Sequence, residues 1–269
     1  MSEQNRRHET SRSWDAVANW YAGWVGTDGS DHHRRLAIPT VLGLLDPKAG
    51  ERILDIGCGP GVLTPHIDSA GARYTGVDKS RKLLAFANRH HGHHGRFLHG
   101  DATRLHQIPE LRNTAFDAVV FMLSIQDIAP LEDAFSESIN LLRHGGRIVL
   151  LMTHPCFRVP RQSGWGWDHS RKLRFRRIDR YLTPLSVPMK AYGRWRLGAT
   201  RSHHRPLEHY VNALTSTGAL IDKFDEVSTC AMSVRTAGRS RNATGAQAKA
   251  ERNADREIPL FLGIRAVKR

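Results

Sequence analysis

The stretch ERILDIGCGPG, residues 51–61, limits what this chain can fold into more than any other. Ile53, Leu54 and Ile56 are strand formers, Asp55 stands at the end of the run, and Gly57, Gly59 and Gly61 follow at alternate positions. This pattern predicts a buried strand that runs into a glycine turn and then a helix. Glycine reaches backbone conformations closed to other residues and lets a ligand approach without a Cβ in its way. The unpaired N–H groups at the start of the helix would face that ligand.

The spacing narrows the ligand. A dinucleotide fingerprint places its third glycine where this chain has Val62. Here the turn reads GxGxG, with Asp55 ahead of it and Asp78 closing the next apolar segment, YTGVD. A backbone-lined space flanked by a carboxylate suits a ligand with an amino group and a ribose better than one with a pyrophosphate. The bland alternative is a glycine-rich βα turn of another α/β protein. The further motifs in register weigh against it.

A chain of 269 residues can bury one large α/β core. It has no long apolar run to span a membrane, and its first residues, MSEQNRRHET, lack the apolar centre of a signal peptide. Cys58, Cys156 and Cys230 are too few and too scattered for a disulfide framework or a structural zinc site, so a reducing cytoplasm is the expected setting. The formal net charge of +14 fits either a basic substrate-binding face or an ordinary charged surface. Neither an RNA-binding aromatic pair nor a zinc-finger spacing accompanies it, so a nucleic-acid partner is disfavoured.

Residues 1–12 are polar and expected to fray. Trp14, Val17, Trp20, Tyr21 and Trp24 then recur at helical spacing behind Ser13, a candidate cap. This aromatic helix is either a lid over a cleft or docked on the core. A second helix is predicted from His33 to Leu45. After the glycine turn come a helix to about Ala70, the strand ARYTGVD, and a helix with Leu83, Leu84, Phe86 and Ala87 inward. The loop histidines His90, His91, His93 and His94 lack the spacing of a metal site and read as exposed. Two more strands follow, the second with the unbroken apolar run Val119–Met122 of a strand buried on both faces. A helix from Pro130 to Leu142 leads to the fifth strand, RIVLLMTHP.

The alternation stops at Pro155. Residues 156–205 mix basic and aromatic residues and predict short strands or a folded cap. A helix follows with Tyr210, Val211 and Leu214 inward, then an edge element, an aperiodic stretch over 231–254 read as loop or marginal helix, and a last strand, Leu260 to Val267. The resulting division is a helical lid over 1–45, a core over 46–155, a cap over 156–205 and a C-terminal part of the core sheet over 206–269.

In ILDIGCGPG at 53–61, GVD at 76–78, GDA at 100–102, FDAVVFMLSIQDI at 116–128 and GGRIVLLM at 145–152, the chain resembles a class I S-adenosylmethionine-dependent methyltransferase of the small-molecule type. The resemblance covers roughly the first 150 residues. It implies a Rossmann-like, seven-stranded and mostly parallel sheet with helices on both faces, the last strand antiparallel beside the fifth, and a cap inserted after the fifth strand. It implies that Asp55 and the Gly57, Gly59 and Gly61 backbone hold the methionine part, that Asp78 binds the ribose, and that Asp101 and Ala102 border the adenine. Ser124 would begin the segment that meets the incoming nucleophile. Tyr21, Cys58 and Lys79 join this expected cofactor set, the first from a helix resembling the family's lid.

Methyl transfer from a sulfonium depends mostly on alignment, and a hydroxyl acceptor also has to lose a proton. Histidine suits that task near neutral pH, which makes His154, His203 and His204 the candidate bases, each with a structural role as its alternative. Trp20, Gln126, Trp165, Trp167 and Arg205 are the candidate acceptor-binding residues, and no metal is expected. A small, flat or apolar acceptor is the favoured reading. An RNA- or protein-directed methyltransferase and a non-catalytic cofactor-binding domain are the alternatives.

Overall fold

The computed structural model describes residues 14–189, 200–231 and 245–269. The fraying of residues 1–12, the Ser13 cap, and the parts of the cap and of the aperiodic stretch at 190–199 and 232–244 lie outside them. Seven strands form one sheet: β1 (Arg52–Ile56), β2 (Arg73–Asp78), β3 (Gly95–His99), β4 (Phe116–Met122), β5 (Leu142–Thr153), β10 (Ala219–Val227) and β11 (Phe261–Lys268). Their order is β10-β11-β5-β4-β1-β2-β3. The first five are parallel, whereas β11 lies antiparallel between β5 and β10, pairing Phe261 with Thr153 and Val267 with Arg147. The expected sheet class and the inserted last strand are both present.

The centre is dry. Ala118 to Phe121 of β4 and Ile148 to Leu151 of β5 have no exposed surface, so each strand packs apolar side chains on both faces. Burying a side chain of this size contributes about 1.5–3 kcal/mol, which is why these runs occupy the middle of the sheet. One face is covered by helices α1 (Ala18–Val25), α2 (Ile38–Leu45), α3 (Thr64–Ser69) and α4 (Arg81–His91), which share a buried cluster with β1 and β5, or pack beside it. The other carries α5 (Leu131–Leu141) and α6 (Leu207–Thr215), with Phe135 edge-on to Phe121 at 6.1 Å.

Several sequence expectations shift by a turn or a face. The aromatic helix opens as a 3-10 turn, Trp14–Ala16, before α1, and the helix from His33 begins with a π-helical stretch, His33–Ala37. In α6 the buried positions are Tyr210, Ala213 and Leu214, while Val211 is half-buried. His91 is not exposed. It closes α4 with 4 % of its surface accessible and its Nε2 is 3.2 Å from the Thr27 carbonyl. His94 pairs instead with Asp68 at 2.5 Å, and among the described residues no group of three metal-ligating side chains forms.

After β5 come two antiparallel hairpins, β6 (Ser163–Asp168) with β7 (Leu173–Ile178), and β8 (Leu185–Pro188) with β9 (Arg201–His204). A thirteen-residue helix, α7 (Gly245–Glu257), packs on β7 and buries Ala250 and Ala254. The aperiodic stretch therefore contains an ordered helix, because two small alanines four residues apart suffice to seat it. Among the described residues no helix is long and apolar enough to cross a membrane.

Candidate functional site

The carboxyl ends of β1, β2 and β4 meet the glycine turn, and a cleft opens there. Gly57, Gly59, Asp78, Lys79, Gly100 and Asp101 line one side, and Met122 to Ser124 and Asp127 to Ala129 the other. Clefts at this edge of an open α/β sheet are the usual ligand site.

The two glycines nearest the cleft differ in their reasons. Gly57 has φ +71°, and a Cβ placed there would lie 2.5 Å from the Cβ of Ser124, so the close approach of β1 to the end of β4 requires glycine. Ser124 is fixed in turn by donating its hydroxyl to the Ile56 carbonyl at 2.6 Å. Gly59, at φ +53°, faces open space with only the Tyr21 ring nearby, 3.7 Å from its would-be Cβ. A ligand can lie against that backbone.

Asp78 ties the turn to the next helix. Its carboxylate accepts from the Gly59 N–H at 2.8 Å and the Ser80 N–H at 2.7 Å, while Ser80 caps α4 by accepting from Leu83 N–H at 3.1 Å. Burial raises the Asp78 carboxyl above its ordinary value, and the two N–H groups oppose the rise. Asp101 is held by the Lys79 ammonium at 2.8 Å and by Thr103 through its N–H at 3.0 Å and hydroxyl at 2.8 Å. Burial works against these contacts, yet they leave the Asp101 carboxyl below the usual range.

The aromatic segment closes the cleft. Asp15 accepts from the Ser80 hydroxyl at 2.6 Å and from Lys82 N–H at 3.1 Å, which pins the segment to the start of α4. Trp14 and Tyr21 line the cleft, packed edge to face at 5.2 Å. Trp20 instead stacks on the exposed Trp24 at 6.3 Å and does not line it.

The other sequence-predicted residues are placed as follows. Ala102 lines the cleft; Asp55, Cys58 and Gly61 do not. Side chains alternate along a strand, and that alternation turns Asp55 toward the helical layer, where its Oδ2 accepts from the Tyr74 hydroxyl at 2.7 Å. His154 is buried with Nε2 2.8 Å from Glu226 and Nδ1 accepting from Cys156 N–H at 3.3 Å, so both ring nitrogens are engaged. His204 Nε2 meets the Tyr181 carbonyl at 2.7 Å. His203, whose ring makes no hydrogen bond among the described residues, borders a small neighbouring pocket with Gln126 and Arg205. Trp165 is enclosed by the guanidinium groups of Arg174 at 4.0 Å, Arg158 at 5.3 Å and Arg176 at 5.3 Å, so its ring packs within the cap rather than in the cleft. Trp167, on the same strand, does not line the cleft either.

Sequence reasoning set Asp127 aside as a lone carboxylate that makes no metal site, yet it lines the cleft, and it gave no sign of the left-handed Leu123, at φ +57°, one residue past β4. A single carboxylate without a motif gave no signal. A non-glycine residue in the left-handed region stores on the order of 1 kcal/mol, and such strain gathers at functional turns.

The buried carboxyl of Asp55 carries a pH prediction. Burial pushes it up to about 7, the Tyr74 bond opposes that, and Asp78 adds to it. The folded value exceeds the unfolded one, so this contribution to stability is complete below about pH 4 and is lost as pH rises through about 7. Asp55→Asn keeps an acceptor for Tyr74 and removes the titration. Thermal melts should show the variant gaining on the wild type by on the order of 2 kcal/mol between pH 5 and 8, or about 4–8 °C. Parallel pH curves would refute it.

Comparison with known proteins agrees with the geometry. The model of the family described as methyltransferase domain matches residues 54–150. A demethylmenaquinone methyltransferase of Clavibacter sepedonicus is 31 % identical over 146 residues, 53 % of this chain and 57 % of that protein. A ubiquinone biosynthesis O-methyltransferase of Aromatoleum aromaticum is 31 % identical over 125 residues, 46 % of this chain and 53 % of that protein. This chain thus spans little more than half the length of these curated relatives. The crystal structure of an S-adenosylmethionine dependent methyltransferase from Mesorhizobium loti superposes with a TM-score of 0.65 at 26 % identity, covering 90 % of this chain and all of that one. The bare Gly59 backbone, the carboxylate at the end of β2 and the aromatic cover fit S-adenosylmethionine, the cofactor named for that structure. By sheet order and glycine turn the chain has the fold of the class I S-adenosylmethionine-dependent methyltransferases, and its residues 54–150 match their domain.

Proposed function

We propose that this protein transfers the methyl group of S-adenosylmethionine to a hydroxyl or amine of a small, aromatic or apolar molecule. The observation that carries the reading is the covered cleft: Trp14 and Tyr21 roof the space between Asp78 and the turn after β4. The quinone-directed relatives point the same way. In this reading the Gly57 and Gly59 backbone holds the methionine part, Asp78 the ribose hydroxyls, and Asp101 and Ala102 the adenine edge. Lys79 then has to yield part of its hold on Asp101, which its exposed position permits. When bound, the cofactor supplies an electrophilic methyl group. The chain's residues align the partners and exclude water. Of the histidines, His203 is the candidate base. Burial lowers its pKa, with Arg205 and Arg201 adding to the effect, which favours the neutral ring.

An RNA or protein acceptor is the second reading, favoured by the arginines of β7 and the formal net charge of +14. Incubating the protein with methyl-labelled S-adenosylmethionine and a cell extract separates the two. Label is expected in the small-molecule fraction; label confined to RNA or protein would overturn the first reading.

A further inference from the structure

The face of the sheet that carries α5 and α6 is only partly covered. Those helices pack on β5 and β10, and between β3 and β4 the chain makes only the 3-10 turns Leu105–Gln107 and Pro109–Leu111. The amino ends of β1, β2 and β3 stay open there, at the edge of the sheet opposite the cofactor cleft, and a groove runs across them. One bank is the segment through Glu110 and Thr114, the other the turn just before β3.

Register and strand alternation gather arginines in this groove. Arg52 stands opposite Arg73, and Thr75 opposite Arg96. All four share the parity of Leu54, Val77 and Leu98, which belong to or pack on the core of this face. Neighbouring strands lie about 4.8 Å apart, so Arg52 and Arg73 start side by side, and Arg96 follows roughly 8 Å from Arg73. Their like charges repel, and among the described residues none of the three guanidinium groups has an ion pair or a hydrogen bond. Of the two carboxylates in the lining, Asp68 is held by His94 at 2.5 Å, and Glu110 has no ion pair among the described residues. Glu51 and Asp117, beside the foot of β1 and at the foot of β4, are taken by Arg147 and Arg143. Positive charge is left in surplus.

The shape decides between anions. Arginine's planar fork matches the oxygens of a phosphate in pairs. The groove has two banks, and its Tyr74 and Phe116 are only 3 % and 2 % exposed, while His93 and His94 pack together at 3.9 Å. No ring is presented on which the bases of a nucleic acid could stack. A compact anion with more than one phosphate fits better than an extended strand. We propose that the groove is a second ligand site, which takes a small molecule carrying a diphosphate group. Arg52 and Arg73 clasp one phosphate, and Arg96 with the Thr75 hydroxyl takes the other. Roughly 16 Å of β1 separates this site from the glycine turn, so its ligand is not the methyl acceptor.

Titration calorimetry of the purified protein in magnesium-free buffer tests this, with inorganic pyrophosphate, orthophosphate and polyuridine RNA as probes. Pyrophosphate is expected to bind at least about tenfold more tightly than orthophosphate, since it engages a further charged fork. R52M, R73M and R96M should each weaken it about tenfold or more, and R73K, which keeps the charge without the fork, should recover part of the loss. All four variants are expected to melt within a few degrees of the wild type and to keep its affinity for S-adenosylhomocysteine. R180M, which removes an exposed charge from the cap, should bind pyrophosphate as the wild type does. No detectable pyrophosphate binding by the wild type, equal affinity for orthophosphate, or an equal loss in R180M would overturn the proposal. Tighter binding of polyuridine than of pyrophosphate, lost in the same three variants, would overturn it in favour of a nucleic-acid surface. Failure of the wild type to bind S-adenosylhomocysteine would strike the methyl-transfer reading alone and leave this site standing.

Discussion

Gly57→Ala is expected to lower stability by about 3 kcal/mol and to weaken cofactor binding at least tenfold. Two costs add: a non-glycine residue at φ +71° pays about 1–2 kcal/mol, and an extra methyl in a packed site about 1–3 kcal/mol. The methyl would meet the Cβ of Ser124 at 2.5 Å, and that residue is bonded to the Ile56 carbonyl, so it has no free direction of retreat. Gly59→Ala separates the two effects. At φ +53° it pays the same backbone cost of about 1–2 kcal/mol, but its methyl would project into the cleft with only Tyr21 in contact at 3.7 Å, so it escapes the packing cost and the rest of its loss should fall on cofactor affinity. Thermal melts and cofactor titrations on the pair check this. Equal loss of stability in both variants would contradict it.

Asp78→Ala should weaken S-adenosylhomocysteine binding about a hundredfold, the equivalent of roughly 3 kcal/mol for charge-assisted hydrogen bonds to a ligand. The fold should suffer less. Removing the side chain frees the Gly59 and Ser80 N–H groups, but it also relieves the burial that keeps this carboxyl above its ordinary pKa. The two effects on stability oppose each other, whereas nothing offsets the lost ligand contact. Titration calorimetry with melting curves reads both quantities. A variant that binds normally would remove Asp78 from the site.

The parts of the fold that were legible in the sequence are those governed by short-range rules. Val119 to Phe121 could only be a strand covered on both faces, and the glycine turn with Asp78 placed the cleft above β1 and β2. Direction within an element was harder to read. Asp55 adjoins the cleft in sequence, but strand alternation turns it to Tyr74, and Trp20 sits one residue off the face that Tyr21 presents to the ligand. The cap was opaque for a different reason. Its strands pair basic with aromatic residues, and Trp165 is covered by arginine side chains rather than by apolar ones, which leaves no hydrophobic period to follow. Asp127 acquires its character from burial, which raises its carboxyl, opposed by Ser202 and Arg205 more than seventy positions away, and no local pattern records such surroundings.

The most direct measurement is calorimetric titration of the purified protein with S-adenosylmethionine, S-adenosylhomocysteine and NAD. Binding of the first two with dissociation constants on the order of micromolar, about 8 kcal/mol, and no binding of NAD is the predicted result. A protein that binds neither sulfur compound, or that prefers NAD, would contradict the account at its centre.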